Sequence, residues 1–108
     1  MSATLATIQA FLADGKSRVS DHAFEELYKD GIITQDVLDA MPTAILVEDY
    51  PDANRGSSVL VLCRLANGRA LHAVWGIHKS NPNLCVLVTA YIPDPLQWTI
   101  DLLRRTKP

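Results

Sequence analysis

A change of hydrophobic period near Ala44 is the feature that most constrains what this chain can fold into. Before that point apolar residues recur at helical intervals. After it, four apolar runs of strand length alternate with turn-forming residues. Leu5, Ile8, Phe11 and Leu12 predict a first helix over 4–13, stopped by Asp14-Gly15. Ser17 and Ser20 are candidate N-caps for a second helix over about 20–30, with Asp21, Glu25 and Glu26 in its early turns and Gly31 beyond its end. Thr34 can cap a short third helix, Gln35 to Met41, which turns Val37 and Leu38 inward and which Pro42 cannot continue.

The strand-like runs are Ala44–Tyr50, Ser57–Leu65, Arg69–Ile77 and Leu84–Tyr91. Pro93-Asp94-Pro95 reads as a break, a cap and a first-turn proline, opening a last helix with Leu96, Ile100 and Leu103 on one stripe. The expected fold is therefore α+β: N-terminal helices packed on a four-stranded antiparallel sheet, with a C-terminal helix, in a single domain spanning 1–108.

Composition narrows the function classes. With 48% hydrophobic and 20% charged residues, the 108-residue chain has the balance of an ordinary globular domain. No apolar run approaches the roughly 18 residues of a membrane span, and Met1-Ser2-Ala3-Thr4 does not start a signal peptide, so a cytoplasmic location without membrane attachment is expected. Cys63 and Cys85 are too few to staple a secreted scaffold and are expected as reduced core residues. Residues 1–52 hold ten acids and three bases, whereas 53–108 hold seven bases and two acids. A basic half can face phosphate-bearing partners, or charges on two solvated faces can simply segregate.

The register of one hairpin decides which polar side chains can meet. A two-residue Asn67-Gly68 turn puts His72 opposite Cys63 and sends Arg64 to the other face. A three-residue Ala66-Asn67-Gly68 loop with Gly68 left-handed instead gathers Leu60, Leu62, Arg64, Ala70, His72 and Val74 on one face. The second register is preferred, because it leaves Val59, Val61, Cys63, Leu65, Leu71, Ala73, Trp75 and Ile77 as an apolar core face. Thr89 and Tyr91 then extend the face of Arg64 and His72.

The chain contains no zinc-ligand spacing, phosphate loop, dinucleotide-binding glycine motif or serine-hydrolase elbow, so neither a metal nor a cofactor is expected. Glu48-Asp49, adjacent on a strand, point to opposite faces and read as edge solvation. His22 sits in a helix first turn, near amides suited to phosphate, or is a surface histidine beside Asp21. His72 and Arg64 interrupt apolar strands. A buried, hydrogen-bonded histidine and a snorkelling arginine are the plain alternatives to a site. Tyr91 is a core aromatic with its hydroxyl at the rim, or a catalytic group.

Four fragments carry a resemblance. They are Ser20-Asp21-His22-Ala23-Phe24-Glu25-Glu26-Leu27, Val47-Glu48-Asp49-Tyr50-Pro51-Asp52, Gly68-Arg69-Ala70-Leu71-His72-Ala73-Val74-Trp75, and the stretch from Val88 to Trp98. Over about residues 17–105 the chain resembles the bacterial domain of unknown function 4258 family, itself similar to RelE/MqsR-type toxins. Where that family usually has an arginine after the histidine stretch and a basic residue before the glycine, this chain has Glu26 and Asp30. The resemblance implies a RelE-like fold, metal-independent endoribonuclease action on messenger RNA, and a zinc-ribbon/helix-turn-helix antitoxin as partner in a type II toxin–antitoxin pair.

On that implication, His22 and His72 transfer protons, Arg64 stabilises the phosphorane charge, and Tyr91 positions the substrate or donates a proton. Arg55, Arg69, Lys79, Arg104 and Arg105 then contact RNA. The alternative is a non-catalytic protein- or RNA-binding module using the same face. A third reading is a domain that only dimerises through its sheet edges.

Overall fold

The computed structural model describes residues 2–106. The chain runs α1 (Ala3–Ala13), β1 (Ser17–Val19), α2 (Asp21–Lys29), α3 (Thr34–Ala40), a 3-10 turn at Met41–Thr43, β2 (Ile45–Tyr50), β3 (Ser58–Arg64), β4 (Ala70–Gly76) and β5 (Cys85–Tyr91). The α+β class and the three N-terminal helices are as the sequence indicates. Two features of the expected fold need correction.

The sheet has five strands in the order β1-β5-β4-β3-β2, and β1 lies parallel to β5, so it is mixed rather than four-stranded antiparallel. Three residues are too few to show an alternating period, and pairing across the chain defines this strand instead. Lys16 and Leu87 carbonyls accept from the Cys85 and Ser20 amides at 3.1 and 3.0 Å. Ser20 then changes role within one residue. Its Oγ donates to the Val88 carbonyl at 2.9 Å and accepts from the Ala23 amide at 3.1 Å, capping α2. Ser17, the other candidate cap, lies in β1. Thr34 is the first residue of α3 rather than its cap; Ile33 holds the cap position with no side-chain bond.

The second correction concerns the C-terminal segment, which forms no helix over its described residues. Asp94 Oδ1 accepts from the Leu96 amide at 2.9 Å and Asp101 Oδ1 from the Leu103 amide at 3.1 Å. Such local carboxylate-to-backbone bonds offer the chain an alternative to the helical ladder. The Thr99 amide bonds the Arg104 carbonyl at 2.8 Å and the Thr106 amide the Gln97 carbonyl at 3.0 Å, folding residues 97–106 back on themselves. The helical stripe fails accordingly. Leu96 and Ile100 are exposed, while Trp98 is buried.

All three helices cover one face of the sheet. Ile8, Ala23, Leu27, Val37 and Ala40 join Val59, Val61, Cys63, Leu71, Ala73, Trp75, Leu87 and Ala90 in one apolar core. Its formation is what drives folding, at about 25 cal/mol per Å² of apolar surface removed from water. Cys63 and Cys85 are free thiols within it, as expected. On the opposite face Leu60, Leu62 and His72 are buried too, and residues 93–106 form a strap that brings Trp98 and Leu102 against His72.

Candidate functional site

The β3–β4 hairpin adopts the three-residue register. Gly68 has φ +89° and its amide bonds the Leu65 carbonyl at 2.8 Å, while the Leu65 amide bonds the Arg69 carbonyl at 2.9 Å. Leu62 therefore pairs with His72 and Arg64 with Ala70. On β5, Tyr91 pairs with His72 and Thr89 with Val74, which extends the same face. Arg64, His72 and Tyr91 thus share one face, opposite the helices.

His72 is fully buried. Its Nε2 lies 2.8 Å from the Leu102 carbonyl oxygen and its Nδ1 3.2 Å from Tyr91 Oη. A carbonyl only accepts, which places the ring hydrogen on Nε2 and makes Nδ1 the acceptor of the Tyr91 hydroxyl. The Trp98 ring meets the imidazole edge-on, centroids 4.4 Å apart at 89°. Burial holds the His72 pKa below its ordinary value, outweighing the Leu102 bond and the field of Glu48, which both push it up. Burial also raises the Tyr91 phenol, which therefore keeps its proton at neutral pH.

Above this pair lies a cluster that reaches solvent. Arg105 donates from Nε to Glu48 Oε2 and from Nη2 to Oε1, both at 3.2 Å, and its guanidinium carbon sits 4.7 Å from the Trp98 ring centroid. Tyr50 donates its hydroxyl to Glu48 Oε1. The Arg105 bonds, then the Tyr50 bond, hold the Glu48 carboxyl below its usual range, and the carboxylate in turn raises the Tyr50 phenol. The side chains of Glu48 and Arg105 remain 27% and 53% exposed.

Glu48 and Tyr50 reach this face through a β-bulge. Leu46 pairs with Val61 on the core side, and uninterrupted alternation would send Glu48 inward with it. The register shifts between Leu46 and Glu48, so Glu48 pairs with Leu60 and Tyr50 with Ser58, on the side of His72. Sequence reasoning missed both residues, and missed Trp98 as their neighbour. The available signal was the alternate spacing of Glu48 and Tyr50 on one strand.

The remaining candidates are dispersed. His22 is exposed on α2, whose Ala23 and Leu27 pack in the core on the other side of the sheet, so it does not join His72. Arg64 shares the face but is exposed at the end of β3, and among the described residues it makes no hydrogen bond to His72 or Tyr91. Arg69 Nη1 donates to the Asp30 carbonyl at 3.0 Å, tying the hairpin to the end of α2. Arg55 and Lys79 are exposed on adjoining loops, joined by a backbone bond of 2.9 Å. Arg104 is exposed on the strap beside Arg105. Among the described residues, no group of three or more His, Cys, Asp or Glu side chains is placed to hold a metal ion, and no helix is long and apolar enough to cross a membrane.

Neither a curated protein nor a solved structure matches this chain. A family model matches from the end of β1 through β5, residues 19–92, which includes His72, Tyr91, Glu48 and Tyr50 and stops short of the strap. The chain belongs to the family described as domain of unknown function 4258 (DUF4258).

Proposed function

We propose that this protein is a RelE/MqsR-like toxin-type domain that cleaves RNA without a metal, as one half of a type II toxin–antitoxin pair with a zinc-ribbon/helix-turn-helix antitoxin. The observation that carries this reading is the hydrogen bond between Tyr91 and His72 on a sheet face that also bears Arg64. Metal-free cleavage needs a proton donor for the departing 5′-oxygen and a cation for the charge that builds on phosphorus. Tyr91, half-exposed and protonated at neutral pH, is the donor. His72, too deep to touch RNA, accepts from the Tyr91 hydroxyl at rest and holds it from beneath, and rotation of that O–H toward the RNA presents its proton to the departing oxygen. Arg64 supplies charge at the open end of the face, and Arg55, Lys79 and Arg104 contact the RNA backbone.

One observation favours a second reading. His72 is fully buried with both ring nitrogens engaged, the condition of a histidine that holds a fold together. A non-catalytic protein- or RNA-binding module would use the same face without cutting. Tightly induced expression in a bacterial culture separates the two. The toxin reading expects growth arrest with loss of total RNA, relieved by Tyr91→Phe in a protein that still folds. Normal growth with intact RNA supports the binding module.

A further inference from the structure

The proposed ribonuclease has a donor and a cation but lacks a base, and the solvent-facing cluster beside His72 contains one. We propose that Glu48 is the general base of RNA cleavage and that Arg105 binds the scissile phosphate, an inference that rests on the toxin-type reading above.

The free valences at the cluster support these roles. A carboxylate offers about four lone-pair sites, and among the described residues Arg105 and Tyr50 occupy three on Glu48, leaving one for a ribose hydroxyl. A guanidinium has five N–H donors, and among the described residues Glu48 takes two from Arg105, leaving three for phosphate oxygens. The Trp98 ring lies beneath the guanidinium, with 4.7 Å from its centroid to the Arg105 guanidinium carbon. Oε1 accepts from both Tyr50 and Arg105 and Oε2 from Arg105 alone, so the free site is on Oε2. Both side chains remain open to solvent, which His72 is not.

The step balances without any co-reactant. The 2′-hydroxyl passes its proton to Glu48, and the released electron pair forms the O2′–P bond. The P–O5′ bond breaks with its pair on O5′, which takes the proton of Tyr91. The products are a 2′,3′-cyclic phosphate and a 5′-hydroxyl. Exchange with water returns the Glu48 carboxyl and the Tyr91 phenolate to their resting states.

Glu48 and Arg105 also clip the strap to β2, and the test must separate the two roles. Single-turnover cleavage of a single-stranded RNA is compared for wild type, Glu48→Gln, and the charge-swapped double variant Glu48→Arg with Arg105→Glu, each checked by thermal melting. General-base loss predicts a fall of about 100-fold or more in Glu48→Gln. The swapped pair can re-form the clip, yet it moves base and cation to the wrong places, so its melting temperature recovers while cleavage stays down by about 100-fold or more. Cleavage by Glu48→Gln within about threefold of wild type overturns the inference and leaves the toxin reading standing. Recovery of cleavage in the swapped variant overturns it in favour of a clip alone. Intact RNA with the wild type overturns both.

Discussion

His72 and Leu102, thirty residues apart, are joined by a 2.8 Å hydrogen bond from the imidazole Nε2–H to a backbone carbonyl, and this bond ties the strap to the sheet. The imidazole holds Tyr91 on one side and the strap on the other, with no exposed surface of its own. His72→Ala therefore opens a cavity and leaves the Tyr91 hydroxyl and the Leu102 carbonyl without their partner. A loss of about 2–4 kcal/mol is expected in urea unfolding. A loss under about 0.5 kcal/mol contradicts the role assigned to this histidine.

Acid should loosen the same junction. Burial lowers the His72 pKa from its ordinary 6.5, so below that pH the unfolded chain takes up a proton more readily than the folded one. The contribution of His72 is complete above pH 6.5 and is lost as pH falls toward the folded value. Glu48, lowered from 4.5 by Arg105 and Tyr50, acts in the same sense further down. Wild-type stability should thus begin to decline below pH 6.5, and His72→Phe should show a flatter profile between 6.5 and 4.5. Parallel profiles for the two proteins contradict the assignment.

Leu102 has φ +64°, the one positive value among the described non-glycine residues. An L-residue there bears a cost of roughly 1–2 kcal/mol that glycine avoids. Leu102→Ala and Leu102→Gly both remove the half-buried side chain, so their difference isolates the backbone. The glycine variant should be the more stable by about 1 kcal/mol in denaturant melts, despite the lower entropy of an alanine chain in the unfolded state. Equal stability is inconsistent with the left-handed strap.

Gly56 offers the opposite case. Its φ is +134°, and a Cβ would come 1.9 Å from the Ile77 carbonyl oxygen. The β2–β3 loop can lie against the end of β4 only because that atom is missing. Gly56→Ala should cost at least about 2 kcal/mol and lower the melting temperature. Little change in the melt rules out this close approach.

Those elements whose hydrophobic pattern is local were legible in the sequence. The register of the β3–β4 hairpin is the pairing that leaves a clean apolar face, and that same pairing sets His72, Tyr91 and Arg64 on one face. The rest depends on interactions that no local pattern carries. β1 is three residues long and exists because β5 pairs with it. The bulge that turns Glu48 and Tyr50 toward His72 reverses the strict alternation from Leu46, so alternation alone assigns them to the wrong face. The strap has the cap, proline and apolar stripe of a helix, but its aspartates bond their own backbone and Trp98 finds burial against His72. Arg69 and Arg105, both expected to contact RNA, each have an acceptor within the fold that no local pattern announces.

The most direct test of metal-independent cleavage is to incubate the purified protein with single-stranded RNA in excess chelator and identify the new ends. Fragments ending in 2′,3′-cyclic phosphate and 5′-hydroxyl, formed at least about 100-fold more slowly by Tyr91→Phe, are the predicted result. RNA that stays intact in the presence of folded wild-type protein contradicts metal-independent cleavage and leaves a binding module in its place.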